Sequence, residues 1–152
     1  DGAQGVLFSH GGRFGGHALF VKDSRLHYVY NWLGELEQEI ISDVDIPTGN
    51  VVLGMSFDKE GNDEQRSATG TATLFINDEQ VGQQSIKTQP GKFMLAGEGL
   101  NVGKDPGGPV STTAYTAPFA FTGGAIREVI IDVSGQAYVD LELEAIGMMS
   151  RD

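Results

Sequence analysis

Gly16 to Asn31 reads GHALFVKDSRLHYVYN, and the interpretation of this stretch decides the fold. Two apolar runs, HALFVK and RLHYVYN, alternate with period two on either side of a short polar break at Asp23 and Ser24. That period sends successive side chains to opposite faces of a strand, and so brief a break between two such runs is a hairpin turn. The runs are rich in Val, Leu, Phe and Tyr, which fit a pleated, half-buried surface. A two-residue turn sets the register. Lys22 then faces Arg25, Phe20 faces His27 and Ala18 faces Val29; on the other face Val21 meets Leu26, Leu19 meets Tyr28 and His17 meets Tyr30.

The chain of 152 residues has the length of one domain, residues 1–152, and can bury a core without covalent staples. It has no cysteine, which removes disulfides, zinc–thiolate sites and cysteine nucleophiles. Absence of cysteine fits a reducing compartment and secreted bacterial domains alike, so it assigns no localisation. The formal charge is −11, from 21 acidic and 10 basic residues. Such a surface repels phosphate backbones and anionic lipid heads, so neither nucleic acid nor a membrane is an expected partner. No apolar run approaches the roughly 20 residues of a membrane-spanning helix. The chain opens DGAQGVLF, with neither a basic leader nor an initiator Met, and is expected to be a fragment of a longer one. Its 22 glycines argue for many turns and few helices, hence a sandwich or barrel of short strands.

Around the hairpin, GVLFSH (Gly5–His10) reads as a strand, and GGRFGG (Gly11–Gly16) as a loop in which glycine permits positive φ. LEQEIIS (Leu36–Ser42) and VVLGMSF (Val51–Phe57) read as further strands. The polar stretch Asp58–Thr69 reads as a mobile surface loop. Gly70–Ile76 and Gln80–Lys87 form a second hairpin about Asn77–Glu79. Thr88–Ala117 is a long Gly/Pro-rich segment with short strands at Phe93–Leu95 and Leu100–Val102, followed by strands at Pro118–Thr122 and Ala125–Ser134. Asp140 reads as an N-cap, with Glu142 and Glu144 suited to the helix dipole, so a short amphipathic helix is expected within 137–150, behind the sandwich of 1–136. The expected fold is all-β: two antiparallel sheets in a jelly-roll sandwich, with that C-terminal helix.

Few residues offer chemistry. His17 and His27 fall on opposite faces of the hairpin, so one metal ion cannot collect both, and no metal site is expected. Glu35, Glu37 and Glu39 alternate, as do Asp140, Glu142 and Glu144. Paired carboxylates on a sandwich raise a glycoside hydrolase as an outside alternative, but an edge strand and a helix N-terminus account for them more simply. Asp105 in GKDPGG could offer oxygen to calcium, yet a single carboxylate is far short of the roughly six oxygens calcium takes. Arg13 in its Gly-lined loop is the candidate for a carboxylate or sulfate from a partner or glycan. Tyr28, Tyr30, Asn31 and Trp32 are candidates for a sugar platform or a contact with a neighbouring domain.

The runs GGRFGGHALFVKDSRLHYVYN, GTATLFINDEQVG, KTQPGKFMLAGEGLNVGKD and FTGGAIREVIIDVSG and the ending YVDLELEA cover nearly the whole chain in order. Together they resemble the C-terminal region of a group of bacterial arylsulfatases. The resemblance implies a concanavalin A-like, laminin-G-like sandwich behind an alkaline-phosphatase-like catalytic domain, which would be its partner in the same chain. Where many relatives would have Asp-Gly at the hairpin tip, this chain has Asp23-Ser24. In sulfatases the catalytic domain uses a formylglycine made within a Cys/Ser-x-Pro-x-Arg signature, and carboxylates holding a divalent cation, calcium. The five prolines here sit in DIPTG, TQPGK, KDPGG, GGPVS and TAPFA, and none fits that signature. No catalytic residue and no cofactor are therefore carried over to this chain. The expectation is a non-catalytic domain that packs on the catalytic domain and shapes substrate access through Gly11–Gly16, Trp32 and Thr88–Ala117. The alternative is an independent carbohydrate-binding, lectin-like module.

Overall fold

A computed structural model describes residues 2–90, 98–133 and 135. The described residues form β1 (Gly5–Gly12), β2 (Gly15–Lys22), β3 (Arg25–Trp32), β4 (Leu36–Asp45), β5 (Leu53–Asn62), β6 (Ala68–Ile76), β7 (Glu79–Thr88) and β8 (Glu98–Val102), and no helix. They make a five-stranded antiparallel sheet, ordered β4-β3-β2-β1-β8, and a three-stranded antiparallel sheet, ordered β5-β6-β7. The fold is all-β, with two packed sheets.

The register of the β2–β3 hairpin is the one its sequence predicts, from Lys22 opposite Arg25 to His17 opposite Tyr30. Asp23 and Ser24 both take positive φ, 50° and 63°, as a type I′ turn requires. Short polar side chains tolerate that region best after glycine, so Ser24 closes the turn without the usual Gly. The hairpin's two faces enter two separate cores. Leu19, Leu26, Tyr28, Tyr30 and Trp32 face inward and pack with Ile40 of β4 and with Leu74, Ile76, Val81 and Ile86 of the smaller sheet. Ala18, Phe20 and Val29 face outward and are covered by Val110, Ala114, Tyr115 and Phe119 from the segment after β8. Each such large side chain fully withdrawn from water contributes about 1.5–3 kcal/mol.

The smaller sheet lies over one half of the larger. β7 rests on β4 and β3, and β6 on β3 and β4. Gly82 permits the approach: a Cβ there would stand 3.1 Å from the Ile41 carbonyl oxygen. β5 turns Leu53, Met55 and Phe57 toward the same core, but all three stay only partly buried.

Three expectations need correction. The stretch Asp58–Thr69 is not one loop: β5 runs on to Asn62 and β6 begins at Ala68. β5 continues through Asp58, Lys59 and Glu60 because they point to solvent, where a strand tolerates charge. The remaining connection is held by Asp63, whose Oδ1 accepts the amides of Gln65 and Ser67. Pro118–Thr122 is not a strand, and contributes an isolated bridge from Thr122 to Gln4. Of the expected strand Ala125–Ser134, residues 125–133 are described; they form no turn or bend and join neither sheet among the described residues. The expected strand at Phe93–Leu95 and the expected helix after Asp140 lie outside the described residues.

Candidate functional site

Arg13 stands at the tip of the β1–β2 turn and is exposed. Its guanidinium lies 4.7 Å from the centroid of the Phe14 ring, itself 59 % exposed, and its aliphatic stem passes beside Gly108. Among the described residues no carboxylate forms an ion pair with it; Arg25 pairs with Asp45, and His27 Nδ1 lies 2.9 Å from Glu39 Oε1. The turn is braced by its neighbour. Gly34, at φ 77°, brings the β3–β4 turn so close that a Cβ would stand 2.9 Å from the Arg13 carbonyl oxygen.

Asn31 is the brace itself. Its Nδ2 donates to the carbonyls of Arg13, at 3.0 Å, and Val110, at 2.8 Å, while its Oδ1 accepts the Gly34 amide at 2.8 Å. It is buried, so its amide is occupied in joining three segments. Trp32 is also buried: its Nε1 donates to Ser67 Oγ, and Lys87 Nζ lies 3.8 Å from its ring centroid. Tyr28 and Tyr30 point into the inner core, where burial raises both phenol pKa values. Tyr30 accepts the Gln89 amide. The structure thus gathers Arg13 and Asn31 at one end of the sandwich. It turns Tyr28, Tyr30 and Trp32 to the opposite face of the sheet from Asn31, as strand alternation demands.

His17 and His27 do lie on opposite faces. His27 stacks on Phe20 and bonds Glu39, whereas His17 packs among Phe8, His10, Tyr28 and Tyr30. Burial, helped by the neighbouring His10, pushes the His17 pKa down to about 4. It is therefore neutral near pH 7.

Sequence reasoning missed two polar clusters on the outer face. Glu37 of β4 receives hydrogen bonds from the Ser111, Thr112 and Thr113 hydroxyls and from the Thr112 amide. Burial alone would raise this carboxyl, but the donors outweigh it and hold its pKa below the ordinary carboxylate value. Asp105, fully buried, accepts the Val110 amide and the Tyr115 hydroxyl through Oδ2, while its Oδ1 has no hydrogen-bond partner. The Tyr115 pKa is raised by burial and by that carboxylate. Only long-range pairing brings these groups together, so no local pattern announces them. Among the described residues no group of three or more His, Asp or Glu is placed to hold a metal ion.

Comparison of the chain with known protein families, with curated proteins and with solved structures found no match.

Proposed function

We propose that the chain is a non-catalytic C-terminal jelly-roll domain of an arylsulfatase-like sulfate ester hydrolase, which packs on the catalytic domain and shapes substrate access. The observation that carries this reading is the ordered resemblance across nearly the whole chain, from GGRFGG to YVDLELEA. The packed antiparallel sheets accord with the sandwich that the resemblance implies. The calcium and the formylglycine of the parent belong to the catalytic domain in this reading, because this chain carries no Cys/Ser-x-Pro-x-Arg signature. The test begins with the gene. It should encode an upstream domain with the Cys/Ser-x-Pro-x-Arg signature; a gene without one sinks the proposal. The full product should hydrolyse an aryl sulfate, and the isolated chain should not.

The Arg13–Phe14 tip favours a second reading, in which the domain itself holds a sulfated glycan. An exposed guanidinium without an ion pair, beside an exposed ring, suits a sulfate and an apolar sugar face. Saturable binding to a sulfated glycan array that is lost in Arg13→Ala would promote this reading over the first.

A further inference from the structure

A recess opens on the outer face, at the other end of β2 from Arg13. It is a cleft of about 460 Å³, formed where the tip of the β2–β3 hairpin meets the irregular segment after β8. That volume falls within the range of small-molecule sites. Tyr115 and the partly buried Phe119 make its apolar wall, their rings stacked with centroids 5.5 Å apart and planes 17° apart. The Tyr115 hydroxyl is tied to Asp105, and Phe20 meets Phe119 edge-on, so the wall is fixed before anything binds. Phe119 sits at φ 40°, a conformation that an aromatic residue rarely adopts, and its carbonyl accepts the Val6 amide. Backbone strain of this kind clusters at ligand sites. The rest of the lining is mostly polar. Lys22 Nζ donates one hydrogen to the Ala114 carbonyl at 2.7 Å and keeps two more. Gln4, Asp23 and Thr116 are exposed at the cleft, and among the described residues their side chains make no hydrogen bond or ion pair.

We propose that this cleft binds an uncharged sugar ring. An aromatic wall fits the apolar C–H face of a pyranose. Sugar hydroxyls call for donors and acceptors side by side, and the rim holds both: Lys22 and Gln4 donate, while Asp23, Gln4 and Thr116 accept. Charge argues against ionic ligands. Lys22 and Asp23 offset each other within the cleft, and the chain as a whole carries −11, so an anion is not favoured. A cation would be repelled by the Lys22 amine, which a neutral polyol uses as a donor. An apolar ligand would leave the polar rim without partners. The site is separate from the Arg13–Phe14 tip. The eight residues of β2 lie between them, roughly 25 Å of extended chain. It does not rest on the chain's being part of a sulfatase.

The test is an amide NMR titration of the whole isotope-labelled chain. The probes are glucose, galactose, mannose and N-acetylglucosamine, each taken to about 50 mM. At least one of them is expected to shift the amides of Gln4, Lys22, Thr116 and Phe119 saturably. Phe119→Ala, which removes the wall, should weaken that sugar at least ~10-fold. Gln4→Ala should weaken it about 5-fold through the loss of a hydrogen bond. Gln4 is exposed, so this second variant keeps the fold and decides the matter if Phe119→Ala misfolds. A sulfated form of the same sugar should bind no more tightly than the neutral one. The site would be overturned by an absence of saturable shifts with every probe, or by shifts centred on Arg13 and Phe14 instead. Tighter binding of the sulfated sugar, or unchanged affinity in the folded variants, would overturn it equally. None of these results bears on whether the gene encodes a sulfatase domain.

Discussion

The two faces of the larger sheet are closed by different means. The outer face is covered by the chain's own irregular segment after β8, which lays Val110, Ala114, Tyr115 and Phe119 over Val6, Ala18, Phe20 and Val29. An irregular cover brings unpaired backbone groups with it, and these need partners. Asn31, Glu37 and Asp105 supply them, binding Val110, Thr112 and the Tyr115 hydroxyl. The inner face is covered by a second sheet, whose backbone is paired within itself. Side-chain ties cross here too, joining Gln38 to Lys87, Tyr30 to Gln89 and Trp32 to Ser67, and among the described residues three strands face five. One hairpin thus carries a face closed by an irregular segment and a face closed, among the described residues, by a sheet that lies over β3 and β4.

Deleting a large side chain from each face tests that contrast most strongly. Phe20 is fully buried and touches His27, Tyr115 and Phe119, so Phe20→Ala is expected to cost about 4 kcal/mol in urea unfolding. Phe8 is half-buried at the β1 margin of the inner core, and Phe8→Ala should cost about 1 kcal/mol. Equal losses would mean that the β1 side is as closed as the outer face.

Acid tests the inner face next. His17 titrates at about 4 in the fold against 6.5 for the free side chain. Its neutral form is the one the fold accommodates. The unfolded chain therefore binds more protons between these values, and stability falls as pH drops from about 6.5 toward 4. The full loss is roughly 3 kcal/mol, because each tenfold change in proton affinity is worth about 1.4 kcal/mol. His17→Phe should flatten the unfolding free energy over this window, with His10, Tyr28 and Tyr30 left in place. An unchanged slope in that variant would show that His17 is in contact with water.

The hairpin was legible because period two was written on both of its faces and a polar pair marked the turn. The apolar alternation of β5 stops at Phe57, since Asp58, Lys59 and Glu60 carry none; pairing of Asp58 with Thr71 and of Lys59 with Gly70 is what continues the strand. The run Ala125–Val133 shows the converse, since it has the alternation of a strand and joins neither sheet among the described residues. At the candidate site, the glycines around Arg13 mark a turn, but nothing in the spacing marks the exposed Phe14 beside it. Tyr28, Tyr30 and Trp32 drew attention as aromatics near a strand end, although alternation places them with Leu26 in the inner core. Glu37 meets Ser111 across 74 positions of sequence, a separation at which no spacing rule operates.

The outer anchors should differ among themselves. Asn31→Ala strands the buried Val110 carbonyl and leaves the Gly34 amide and Arg13 carbonyl without their partner, which is expected to cost about 2 kcal/mol. It should also loosen the Arg13–Phe14 tip, read as faster amide exchange at Phe14 and Gly34. A loss confined to stability, with exchange at the tip unaltered, would separate the anchor from the candidate site.

Glu37→Gln is the gentlest of these changes and carries a sign. The carboxyl pKa is held below its ordinary 4.5 by the Ser111, Thr112 and Thr113 donors, which outweigh the opposing effect of burial. A lowered acid favours the fold only where it is ionised. Its contribution is therefore fully present above the unfolded value and is lost as pH falls through the lower, folded one. An amide keeps the shape but offers only one acceptor oxygen, so the variant should lose about 1 kcal/mol at pH 7. The gap between wild type and variant should then close as both are acidified, because the protonated wild type has also given up its charged acceptor. A gap that is constant from pH 7 to well below 4.5 would mean that the donors recognise the shape of this side chain and not its charge. The outer cover would then be held by shape and packing more than by this charge.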